Sequence, residues 1–321
     1  MDKKPVLGAL PSPYDYRDFP VKLIVEEVSL PESVRLDDEI MKVLNQGFCG
    51  TCVGKGSNHI LSAGHEENLS SLYIYARCKA LDGMPNQEGT YPRIALKVMQ
   101  QEGSCPEHML PYEELKDCIV LPQVSNHMLS EAMKYRIKEY ARLWSIDDIK
   151  QALNAGLMVG VTYRVSNNWY NYRDGIMDLL DIYSFQGLHY VVLCGYDDTI
   201  GAFRGINSWG EAWGEGGYFW TSYQSISEIV EGWAVKIKKK EYDKMTDKPW
   251  YSEKWWSMLF AVLIPVLNLV FNWGIEAGYV FALIVPFLAM FFGEKWKEKE
   301  IELAKIRAKT EKDIAKLKLK Q

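Results

Sequence analysis

The stretch QGFCGTCVGKGSN, residues 46–58, sets Cys49 and Cys52 three positions apart, ahead of a run punctuated by glycines. Such a pair of thiols suits a metal site, a disulfide half, a redox couple or a nucleophile. A zinc site needs a second ligand pair at metal spacing, and Cys78, Cys105, Cys118 and Cys194 form no second C-x-x-C. No metal and no other cofactor is therefore expected. A redox couple would be framed by a thioredoxin-like βαβ pattern, which does not surround this pair. The nucleophile reading asks for a histidine base elsewhere in the chain and a polar group to orient it.

Composition narrows the classes. The 321 residues carry a net charge of −5 with 25% charged residues, and no basic tract in the first two thirds offers a footprint for nucleic acid. The opening MDKKPVLGALPSPYDYRDF lacks the apolar core of a secretory signal, so a reducing compartment is the default. Six cysteines are too sparse for a disulfide scaffold, and all are expected as free thiols.

Downstream of residue 52, the runs CVGKGSNHILSAGHEEN, PRIALKVMQQEG and IDDIKQALNAG carry helical periodicity. Later come GLMVGVTYRV, LHYVVLCGYDD, AFRGINSW and GGYFWTSY, short β-branched and aromatic runs separated by turn residues, which read as antiparallel strands. Helices first and strands later predict an α+β domain. His189 lies in the second of these strands, and Asn207 opens NSWGEAWGEGGYF. They follow Cys52 by 137 and 155 residues, near the ~130–150 known for one class of cysteine nucleophiles. The other histidines, His59, His65, His108 and His127, read as core residues.

Taken jointly, NQGFCGTC, GLHYVVLCGYD and INSWGEAWGEGGYF resemble, in order, the Cys, His and Asn regions of the papain-like cysteine proteases. LGALPSPYDYRD and SLYIYARCKALDG are similar to its compact bacterial and phage branch. The resemblance implies a two-lobed fold, a helical N-terminal lobe beside an antiparallel β lobe, and hydrolysis of peptide bonds in proteins or peptides. It implies Cys52 as nucleophile, His189 as base and Asn207 as the group that orients the imidazole. Gln46 would help to hold the oxyanion, Trp209 would shield the His–Asn bond, and Gly89 would let a substrate backbone approach. Thr51 and Val53 depart from the family's residues on either side of the nucleophile. Secreted members pair the cysteine at position 49, but its usual partner region near Gly89 has none here, so Cys49 is expected free. A catalytically silent papain-fold binding module is the rival class, and a holin-like or scaffold membrane protein a second.

Near residue 236 the composition shifts to a lysine-rich linker and then to an apolar block. The expected organisation is an N-terminal segment 1–29, a peptidase domain 30–236, a linker 237–254, an apolar block 255–293 and a charged helical tail 294–321. As one helix the block would be ~58 Å long against a hydrocarbon core of ~30 Å. A transmembrane hairpin turning at Asn272–Glu276 fits better, and its lysine-rich flanks place both ends, and the peptidase domain, on the cytoplasmic side of the lipid.

Overall fold

Eight strands and six helices form in the computed structural model, which describes residues 4–237. The predicted hairpin, the linker and the tail lie outside the described residues. The chain divides into two units, residues 1–242 and 243–321, and the described residues all belong to the first. Among them no helix is long and apolar enough to cross a membrane.

The helices come largely first: α1 (Cys52–His65), α2 (Ser71–Lys79) and α3 (Pro92–Gln101), followed by α4 (Asn126–Ala132), α5 (Ile146–Asn154) and the short α6 (Asn167–Asn171). Local chemistry sets several of their ends. Ser70 and Ser145 accept the amides of Tyr73 and Asp148 at the heads of α2 and α5, and Pro92 opens α3, where its missing N–H costs nothing. Gly54 and Gly56 inside α1 lower helix propensity, by ~1 kcal/mol each relative to Ala. Close packing requires Gly56, since a Cβ there would meet the Tyr190 ring at 2.6 Å.

The strands are β1 (Ser33–Arg35), β2 (Ile137–Leu143), β3 (Val159–Val165), β4 (Ile176–Met177), β5 (Gly187–Asp197), β6 (Ala202–Ile206), β7 (Tyr218–Ser222) and β8 (Ile229–Ile237). They pair in the order β2-β8-β3-β5-β6-β7-β4, with β1 on β5. Every pairing is antiparallel except the two-residue β4 against β7. The period-2 alternation of strands sorts β5 into two faces. Tyr190 and Val192 join the core built on α1, α2 and α3, whereas Val191 and Leu193 join a second core with α5, Trp169, Trp209 and Trp213. His189 shares the second face, opposite Tyr163 of β3.

Two cysteine expectations change. Cys49 is bonded to Cys118, 69 residues later, so neither is a free thiol. The partner sits in an irregular loop with no recognisable spacing, and only the folded chain brings the two Cα atoms to 5.3 Å. Cys52, Cys78, Cys105 and Cys194 are free and buried. Of the histidines read as core, His59 is buried but His108 and His127 are exposed.

Candidate active site

Cys52 is the first residue of α1. The Thr51 hydroxyl does not cap the helix and instead meets the Tyr112 hydroxyl at 2.7 Å. The amides of Cys52 and Val53 in the first turn, with the helix dipole, favour a thiolate there. Burial opposes it. Cys52 has no exposed surface, and desolvation pushes its thiol up to about 11, against backbone amides of Tyr190 and Gly8 that pull it down. The amide of Tyr190 belongs to the residue after His189, so the Cys52 sulfur meets the backbone of β5 next to the residue that bears the imidazole.

His189 Nε2 lies 2.7 Å from Asn207 Oδ1. The Ser208 amide donates to the same oxygen at 2.7 Å, which fixes it as the acceptor. Nε2 therefore carries the proton, and in the neutral ring Nδ1 holds the lone pair. That Nδ1 is buried without a hydrogen-bond partner. Desolvation holds the imidazole down at about 4, the Asn207 bond partly offsetting it. Burial penalises the charge on both groups and so works against an imidazolium–thiolate pair between them.

Trp209 covers the His–Asn bond, its ring centred 4.8 Å from the imidazole. Tyr170 stacks on it at 5.1 Å, and Trp169 meets His189 edge-on at 5.7 Å. Gln46 reaches the same region from the other side. Its Nε2 donates to the carbonyls of Cys49 at 2.8 Å and Val6 at 2.7 Å, and its Oε1 accepts from the Ser208 hydroxyl at 2.8 Å. Ser208 thus ties the Gln46 loop to the strand end bearing Asn207, a link foreshadowed only by the serine of NSW.

Gly89 turns its polar groups inward, its amide to the Tyr75 hydroxyl and its carbonyl to Lys79. The neighbouring Thr90 presents both backbone groups to the cleft, and what they bind is the chain's own N-terminal segment. No motif in the sequence marks Thr90. The segment itself, residues 4–10, runs between Gln46, Gly50, Thr90 and Leu188, and the resemblance of LGALPSPYDYRD gave no sign of that position. Among the described residues no cluster of His, Cys, Asp or Glu could hold a metal.

Helices flanking an antiparallel sheet, with a thiol at the head of a helix and a His–Asn pair on the sheet, fit the class of proteins with a papain-like α+β fold. Residues 30–236 match the profile described as "Papain family cysteine protease", and the chain belongs to that family. It is a cysteine peptidase, a hydrolase. Its fold is similar to that of xylellain, a cysteine protease from Xylella fastidiosa, with a TM-score of 0.64 and 30% identity, covering 74% of this chain and 97% of that one. It is 25% identical over 219 residues to a peptidase C1-like protein of Acanthamoeba polyphaga mimivirus, covering 63% of this chain and 68% of the relative. Mouse pro-cathepsin H is 22% identical over 197 residues, 56% of each. Relatives from a bacterium, a giant virus and a mammal single out no branch of the family.

Proposed function

We propose that the chain is an endopeptidase that cuts peptide bonds in proteins or peptides through Cys52, His189 and Asn207. The observation that carries the reading is the His189–Asn207 bond, which leaves Nδ1 as the basic nitrogen on the strand packed against the head of α1. His189 Nδ1 takes the Cys52 proton as sulfur attacks the scissile carbonyl. The oxyanion is met by the Gln46 amide and the Cys52 backbone N–H. Collapse breaks the C–N bond, and the imidazolium gives its proton to the leaving amine. Water, deprotonated by the same imidazole, then hydrolyses the thioester and releases the thiol. Asn207 keeps the ring in the tautomer this sequence of transfers needs.

Cys52→Ser is nearly isosteric and should leave the fold intact while abolishing hydrolysis of a denatured protein substrate. A thiol-reactive epoxide should label Cys52 in the unmodified chain and fail to do so after His189→Ala. Turnover retained by Cys52→Ser would sink the assignment.

The apolar block 255–293 with its lysine-rich flanks supports a membrane tether in the same reading. The Cys49–Cys118 bond weighs against a cytoplasmic peptidase domain, because such bonds persist in oxidising compartments. The tether is accordingly proposed without a side. Release of the full chain from membranes by alkaline carbonate would contradict it.

A further inference from the structure

Lys55 is a buried lysine with no part in the proposed mechanism. It stands one turn into α1, three residues after Cys52, with 3% of its surface exposed. Among the described residues its ammonium has neither an ion pair nor a hydrogen bond, and it lies 3.1 Å from the centre of the Tyr112 ring. Lysine is almost never buried without a charged partner, and here the partner is the face of an aromatic ring. The phenol of that ring has two contacts. It donates to the backbone carbonyl of Gln46 at 2.8 Å and, its one proton used there, accepts from the Thr51 hydroxyl at 2.7 Å. Gln46 is the residue proposed to meet the oxyanion, and Thr51 immediately precedes the proposed nucleophile. One ring thus ties the Gln46 loop to the head of α1. Its own backbone gives it little support, because Tyr112 is half-buried and opens a three-residue turn, Tyr112–Glu114, in an irregular stretch.

We propose that Lys55 is a positioning residue, whose ammonium clamps the Tyr112 ring so that the phenol holds the Gln46 carbonyl and Thr51 in register around the oxyanion. The proposal rests on the cysteine-peptidase reading of the site. The clamp needs charge, because a neutral amine is not drawn to the negative face of the ring. Burial lowers Lys55 to about 7, the Glu107 and Glu113 carboxylates opposing that shift and the Lys42 ammonium adding to it. His59, one turn further along α1, adds no charge of its own near neutral pH, since burial and then Lys55 hold it down at about 3. The Tyr112 phenol, pushed up to about 12 by burial, stays a donor over the same range. The grip on Gln46 is therefore full below pH 7 and released as pH rises through it.

The test compares kcat for a peptide substrate at pH 6 and pH 8 in the full chain and in Lys55→Met, which puts an apolar side chain of similar length in place of the ammonium. The variant loses a buried charge, so urea unfolding should show no loss of stability. It should be about tenfold slower than the unmodified chain at pH 6, within the worth of a desolvated cation–π contact, and within about twofold of it at pH 8, where Lys55 is already neutral. Tyr112→Phe keeps the ring but not the hydroxyl; it should be slow at both pH values, and adding Lys55→Met to it should cost nothing further. Independently of hydrolysis, lysine-selective 13C labelling should show one ε-methylene, missing in Lys55→Met, that titrates near pH 7 and is shielded by the ring until Tyr112→Leu removes it. A rate ratio that is the same at pH 6 and pH 8 overturns the proposal, as does a further loss in the double variant. A chain that shows the shielded lysine but hydrolyses no peptide would overturn the catalytic reading and leave the clamp. Hydrolysis abolished by Cys52→Ser and indifferent to Lys55→Met at every pH would overturn the proposal alone.

Discussion

Asn207 contributes through one oxygen that accepts from both His189 and Ser208, and the Ser208 hydroxyl in turn donates to Gln46. The group proposed to orient the imidazole and the one proposed to meet the oxyanion are therefore mechanically linked. Removing one oxyanion donor costs ~2.7–4 kcal/mol in comparable sites, so under the proposed mechanism Gln46→Ala should lower kcat about 10²–10³-fold. KM should change little, and a change confined to KM would show that Gln46 binds substrate only. The buried imidazoles set an acid limit. His189 and His59 are lowered from 6.5 to about 4 and about 3, chiefly by desolvation. Each binds fewer protons folded than unfolded between those values and 6.5, so stability rises with pH across that window and is lost as pH falls through it. His189→Gln should flatten the dependence by at most ~1.4 kcal/mol per pH unit, measured by urea unfolding at pH 4.5 to 7. An unchanged slope would mean that His189 is already solvated in the native chain.

At the scale of the element, α1 was legible as a helix from its apolar spacing in spite of Gly54 and Gly56. Why glycine stands at position 56 was not, because the reason is the Tyr190 ring of β5, over a hundred residues away. The two effects of Gly56→Ala oppose one another. Helix propensity would gain ~1 kcal/mol, whereas forcing a methyl into a packed core costs ~1–3 kcal/mol. The contact at 2.6 Å with a fully buried ring decides for the loss. Urea denaturation should show net destabilisation, and a more stable variant would mean that Tyr190 can shift. The strands were readable for a related reason: β3 and β5 are apolar and β-branched where they are covered on both faces, as buried strands require.

Over the described molecule, Cys49–Cys118 joins the loop of Gln46 to the irregular segment after Leu115 and closes a long stretch of chain. Constraint of the unfolded state by such a crosslink is worth ~2–4 kcal/mol. Cys118→Ser should lower the unfolding free energy by that amount, and addition of reductant to the unmodified chain should do the same. No change in either would show that the bond is absent in solution. Cys52, Gln46, His189 and Asn207 could be proposed from the sequence because catalysis restricts residue type at a handful of positions, and short motifs record that restriction, whereas the bonded state of Cys49 could not. The disulfide partner, the role of Ser208 and the occupation of the cleft by residues 6–10 could not be read there. Each depends on backbone groups or on an unpatterned loop, and a carbonyl or an amide is the same at every residue. Which carbonyls meet Gln46, and how completely Cys52 is withdrawn from water, was decided only when the chain folded around both, because burial is a property of the packed whole and not of any one stretch.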